Sequence, residues 1–121
     1  MATLNLTSQN LDAILKTGIV FIDFWAPWCG PCRVFGPVFE DVASKNTDVV
    51  FAKCNTEEAT DVAASFAISS IPTLAIFRDG IMLYKDAGAL PKAALEDLVK
   101  QVKGLDMEEI RKKIASDKAA A

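Results

Sequence analysis

The chain has 121 residues, 51% of them hydrophobic, which is enough for a single globular domain with its own core. Thirteen lysines and arginines against sixteen aspartates and glutamates leave a formal charge of −3, so there is no basic surplus to build a nucleic-acid surface. Histidine is absent, which removes imidazole catalysis and most zinc and copper sites and leaves thiols, carboxylates and lysines to carry any chemistry.

Met1 to Leu6 lacks the charged and apolar blocks of a signal peptide, and the apolar run Gly18 to Ile22 is far too short to span a bilayer. Three cysteines, Cys29, Cys32 and Cys54, are too few and too odd a set for a disulfide-stapled secreted domain. A cytoplasmic protein is therefore expected, with neither nucleic acid nor membrane among its partners.

Thr3 to Leu6 is β-like, and Thr7 or Ser8 is placed to cap a helix carrying Leu11, Ile14 and Leu15 up to Gly18. Ile19 to Trp25 is apolar at every position except Asp23, as in a central strand buried on both faces. A helix then starts near Cys29 and runs to about Lys45 with Phe35, Val38, Phe39 and Val42 on one face, and Pro37 is expected to kink it. A strand over Val49 to Asn55 and a short helix over Glu57 to Phe66 follow. Thr73 to Arg78 and Ile81 to Ala87 flank Asp79-Gly80, a two-residue turn that predicts an antiparallel hairpin. Pro91 to Val102 is the next helix.

After Gly104 the pattern restarts. Asp106 with Glu109 reads as a capping box, Met107, Ile110 and Ile114 share a face, and the pairs Glu108–Lys112 and Glu109–Lys113 have favourable spacing. An extra C-terminal helix is expected, either docked on the domain or loosely attached, with a partner contact or dimer seam as the alternative and Lys118 to Ala121 as a frayed tail. The order of elements predicts an α/β domain: a central mixed β-sheet flanked by helices on both faces, over residues 1–103, plus a helical extension over 104–121.

Trp28-Cys29-Gly30-Pro31-Cys32 lies where the buried strand hands over to the second helix. Two thiols three positions apart at a helix start can close into a reversible disulfide. When reduced, the first meets the free N–H groups and positive dipole end of the helix, which stabilise its thiolate. Cys29 is thus the expected nucleophile. Cys32, one turn further in, should be more buried, less acidic and poised to resolve a mixed disulfide on Cys29. A zinc site needs about four ligands, and Cys54 is the only further thiol, so no metal is expected. A permanent structural disulfide is disfavoured by the helix-start position. Mid-strand and among apolar neighbours, Cys54 reads as a small buried hydrophobe rather than a regulatory thiol.

The stretch Phe24-Trp25-Ala26-Pro27-Trp28-Cys29-Gly30-Pro31-Cys32 resembles the active-site segment of the thioredoxin family. The likeness extends over about residues 3–103 through Asp23, Lys53, Ile71-Pro72-Thr73 and Gly88. It implies a thioredoxin fold and a thiol:disulfide oxidoreductase that reduces protein disulfides, with no bound cofactor beyond the redox-active pair Cys29–Cys32. Disulfide-containing proteins would be its substrates, an external thioredoxin reductase would supply electrons, and a monomer would suffice.

Within that resemblance Asp23 becomes the general acid/base for Cys32, since burial raises a carboxylate's pKa toward the range where it passes protons; a solvent-facing Asp at a strand edge is the alternative. Lys53 becomes its tuning cation, or else a surface lysine. Ile71-Pro72-Thr73 resembles the family's cis-proline segment, where an extended substrate pairs with free backbone, although an ordinary trans proline fits the residues too. Trp28, Gly30, Pro31, Ile71, Pro72, Gly88 and Ala89 would form an exposed apolar docking patch. A binding subunit that uses this patch without catalysis is the rival reading. Ser69-Ser70, Cys54 and the segment from Gly104 onward depart from the family's common pattern.

Overall fold

A computed structural model describes residues 2–120. Its elements are β1 (Leu4–Asn5), α1 (Leu11–Leu15), β2 (Ile19–Trp25), α2 (Gly30–Lys45), β3 (Val50–Asn55), α3 (Thr60–Ser65), β4 (Thr73–Arg78), β5 (Ile81–Ala87), α4 (Lys92–Lys103) and α5 (Met107–Ala120). The sheet order is β1-β3-β2-β4-β5, with β1, β3 and β2 parallel and β4 and β5 antiparallel additions. Strand β2 lies at the centre, and its five inner residues are buried because both faces are covered.

Alternation along the strands sorts the core into two layers. Phe21 and Phe51 face Phe35, Phe39 and Val42 of α2 and Leu95, Val99 and Val102 of α4. Val20, Ile22 and Phe24 face the other way, toward Leu6, Ile14, Ala59 and Val62. The same two-residue period puts Asp23 and its register partner Lys53 on the Phe21/Phe51 face, beneath α2, and Cys54 on the opposite one.

The hairpin is built as its turn residues require: Asp79 and Gly80 have φ of 56° and 79°, the left-handed conformation that an Asp-Gly turn supplies. Helix α2 passes through Pro37 without a break. Proline removes the bond to the Arg33 carbonyl four residues back, and both residues are exposed, so water can take its place.

Several boundaries differ from the sequence expectation. Neither Thr7 nor Ser8 caps α1; Asn10 occupies the N-cap, and its side chain instead accepts from the Thr7 N–H at 2.8 Å and donates to the Asn5 carbonyl at 2.8 Å. Helix α3 starts at Thr60 rather than Glu57 because Asn55 organises a turn there, its Oδ1 accepting from Glu57 N at 2.9 Å and its carbonyl accepting from Ala59 N at 2.9 Å.

In α5 the Glu109 N–H does bond to Asp106 Oδ1, at 3.3 Å. The Glu108–Lys112 and Glu109–Lys113 pairs do not form among the described residues. Arg111 takes their place, reaching Glu108 at 3.5 Å and Asp79 of the hairpin turn at 3.0 Å. Met107 is buried, so α5 is docked at its start, and the helix continues through Lys118 to Ala120 where a frayed tail was expected; residue 121 lies outside the described residues.

Candidate active site

Parallel β2 delivers the chain from the buried sheet to its C-terminal edge, and α2 begins soon after the last paired position, Trp25. Cys29 is the N-cap of α2, with extended backbone, and its sulfur accepts from the Cys32 N–H at 3.2 Å. The cap thus satisfies one of the donors that a helix start leaves free. Pro31 in the first turn has no N–H to leave unpaired. Cys29 and Cys32 are joined as a disulfide with Cα atoms 5.2 Å apart.

The expected contrast in exposure is not seen. Cys29 is 5% and Cys32 4% exposed, because Trp25, Ala26 and Ile71 pack against the pair as a unit. What distinguishes the two sulfurs is their surroundings: Cys29 Sγ takes the helix-start hydrogen bond and lies 3.8 Å from the Ile71 carbonyl oxygen.

Asp23 is fully buried, and neither of its oxygens has a hydrogen-bond partner among the described residues. Burial pushes its carboxyl up to about 7, with the Lys53 charge only partly opposing the shift. The solvent-facing alternative for Asp23 is thereby excluded. Lys53 is half-buried, opposite Asp23 in the strand register, with Nζ 4.8 Å from the centroid of the Trp25 ring. Cys54 is fully buried, and burial together with the nearby Asp61 and Asp23 charges pushes its thiol up to about 11.

The Ile71-Pro72 bond is cis. Pro72 is buried, not part of an exposed patch as expected, because it leads directly into the buried strand β4, and its carbonyl accepts from Gly88 N at 2.8 Å. Thr73 is buried as well, with Oγ1 bonded to the Ser70 carbonyl and its backbone paired with Ala87. Ile71 is half-buried, whereas Trp28 (65% exposed), Gly30, Pro31, Gly88 and Ala89 are open to solvent. The apolar surface around the disulfide is therefore built from those residues with Ile71 and without Pro72. Gly88 holds φ at +117°, a conformation that suits glycine.

Two carboxylates beside the site were not anticipated. Glu57 accepts a hydrogen bond from the Trp28 indole N–H, and Glu40 lines a groove of about 400 Å³ with Trp25, Cys32, Gly36 and Lys53. Nothing in the sequence separates these glutamates from solvated ones. Only the pairing of β2 with β3 and the pitch of α2 bring them here.

A family model described as Thioredoxin matches residues 2–101. The chain belongs to the thioredoxin family. It is 48% identical to a putative thioredoxin 2 from Streptomyces coelicolor, over 99% of this chain and 90% of the relative, and 38% identical to the thioredoxin of Bacillus subtilis, over 82% and 96%. Among solved structures, a mutant thioredoxin from Halobacterium salinarum superposes with a TM-score of 0.79 at 32% identity, covering 86% of this chain and 93% of that one.

The thioredoxin fold implied by the resemblance is thus the one observed, with α5 added to it. The Streptomyces alignment also takes in the segment beyond residue 101 that the family model leaves out. Family membership and the Cys29–Cys32 pair make the chain a thiol:disulfide oxidoreductase of the protein-disulfide-reductase type; the purely binding alternative is not favoured. No described helix is long and apolar enough to cross a membrane.

Proposed function

We propose that Cys29 is the attacking sulfur and Cys32 the resolving one in a two-electron reduction of protein disulfides. The observation that carries this assignment is the N-cap position of Cys29, whose sulfur already accepts the Cys32 N–H. The same donor and the helix dipole favour a thiolate there once the disulfide is opened. That thiolate attacks one sulfur of the substrate disulfide, forming a Cys29–substrate disulfide and expelling the other substrate sulfur, which takes up a proton. Cys32 then gives its proton to Asp23 and attacks the Cys29 sulfur. The second substrate sulfur leaves as a thiolate that takes up a proton, and the Cys29–Cys32 disulfide now holds the oxidation. The buried, unpaired Asp23 carboxylate, its pKa near neutrality, suits that transfer at physiological pH.

Substrate docking belongs to the surface formed by Trp28, Gly30, Pro31, Ile71, Gly88 and Ala89, with backbone pairing at Ile71, since Pro72 and Thr73 are already paired to Gly88, Ala87 and Phe24. The substrates are disulfide-containing proteins. An external thioredoxin reductase returns two electrons, no cofactor is held by the chain itself, and the cytoplasm is the setting, with the protein acting as a monomer. Residues 1–103 form the catalytic domain and residues 104–121 an extension to it.

The test is insulin-disulfide reduction with dithiothreitol as reductant, together with trapping from a lysate. Cys29→Ser should reduce turnover at least about a thousandfold, and Cys32→Ser should accumulate mixed disulfides on Cys29 that dithiothreitol releases. A Cys29→Ser protein as active as wild type would overturn the assignment.

A further inference from the structure

The groove beside Cys32 sets Lys53 between two carboxylates on different elements. Asp23 faces it from β2, and Glu40 faces it from α2. Lys53 forms no ion pair among the described residues, and both Asp23 oxygens lack any partner. Its ammonium instead lies over the Trp25 ring, 3.6 Å from where a Cβ on Gly36 would stand.

Glu40 is not a mobile surface acid. Its Oε1 accepts from the Ala2 N–H at 2.7 Å and its Oε2 from the Thr3 hydroxyl at 2.8 Å, so the segment leading into β1 holds the carboxylate in place. The remaining groups facing Lys53 and Asp23 are few. Cys32 and Arg33 come from α2, with Arg33 turned to the Pro27 carbonyl; β4 offers only the apolar Leu74, and the Cys54 thiol lies on the opposite face of β3.

We propose that Glu40 is a positioning residue for proton transfer: anchored by Ala2 and Thr3, its fixed negative charge holds the Lys53 ammonium at the groove mouth and keeps it from pairing with Asp23. The inference rests on the reading of Asp23 as the proton acceptor for Cys32. Burial works against the Glu40 carboxylate, but the Thr3 and Ala2 hydrogen bonds and the Lys53 charge outweigh it and hold its carboxyl below the ordinary glutamate range. Glu40 is therefore charged across the whole range in which Asp23 titrates, and it remains available to Lys53 when Asp23 is neutral. A lysine paired directly to Asp23 would stabilise the carboxylate and weaken it as a base near neutrality.

The experiment is a carbon-13 NMR titration of the Asp23 carboxyl in the full chain, with Asp23→Asn identifying the resonance. Glu40→Gln should lower the Asp23 midpoint by roughly half a pH unit or more, because Lys53 is freed to approach it. In a Lys53→Met background only the direct loss of a distant charge is left, and the same substitution should move the midpoint by less than half as much. Thr3→Val, which leaves Glu40 charged but loosens it, should act in the same direction with a smaller shift. Equal shifts with and without the Lys53→Met substitution, or no shift at all in the presence of Lys53, would refute the positioning role. Failure of the underlying reading shows differently: Asp23→Asn would then resolve mixed disulfides at the wild-type rate, whatever the titrations show.

Discussion

The two ends of strand β2 obey opposite rules. At its C-terminal end, buried polar groups are left unpaired: both Asp23 oxygens and the Trp25 indole N–H have no partner among the described residues, beside a disulfide and a cis proline. At its N-terminal end nearly everything polar is answered. The Gly18 carbonyl accepts from Asp79 N, Arg78 donates to the carbonyls of Val102, Lys103 and Leu105, and Arg111 reaches Asp79. Unpaired buried groups cost stability and are kept where they alter reactivity. The paired end should therefore govern stability without touching chemistry, and the unpaired end should trade stability for a tuned proton acceptor.

The largest effect that tests this contrast is at Asp23. Its carboxyl titrates at about 7 in the folded protein against an ordinary 3.8, so the folded state binds the proton more tightly than the unfolded chain. Stability from this group is complete below about pH 4 and is lost as pH rises toward 7, by a total on the order of 4 kcal/mol. Asp23→Asn removes the titration. Urea unfolding should show the variant gaining on wild type by about that amount between pH 4 and pH 8. A difference between the two proteins that does not change with pH would show that the carboxylate is not destabilised by burial.

Much of this contrast could be read from residues alone, and the reason is local. A single acid within the apolar run Ile19–Trp25 announces Asp23, Asp79-Gly80 announces the hairpin, and a dithiol at a strand-to-helix junction announces the reactive pair. What stayed hidden depends on contacts distant in sequence. Pro72 is buried where it leads into β4 with its carbonyl bonded to Gly88 N, Cys29 is as covered as Cys32 because Ile71 packs on both, and Arg111 reaches beyond its helical neighbour Glu108 to a turn 32 residues earlier. The Asn55 turn that delays α3 was legible in principle, as an Asx residue before a helical pattern, but the stripe of Val62, Ala63 and Phe66 gave no boundary.

The next effect in size belongs to Arg78. One guanidinium nitrogen serves three carbonyls at the end of α4, at 2.7, 3.2 and 3.3 Å, and so joins the hairpin to the segment that leads into α5. Arg78→Ala leaves those carbonyls to water where it can reach them, and the half-buried setting limits the loss to about 1–2 kcal/mol. Thermal unfolding should register this as a lowered Tm at every pH, with insulin-disulfide reduction unchanged at room temperature. A loss of activity in folded Arg78→Ala would break the separation between the two ends.

Arg111 offers the smallest and most discriminating test. Its bond to Asp79 spans 3.0 Å, but the two side chains are 46% and 40% exposed, so solvent and salt screen the attraction. Arg111→Ala should therefore cost less than about 1 kcal/mol, and the cost should shrink further at high salt. The buried Met107 anchors the start of α5 by packing that salt does not weaken, so Met107→Ala should cost more than Arg111→Ala, and its cost should not fall with salt. If the two variants instead lose stability equally and with the same salt response, the docking of α5 is electrostatic throughout, and the paired end of the sheet is held by charge rather than by buried surface.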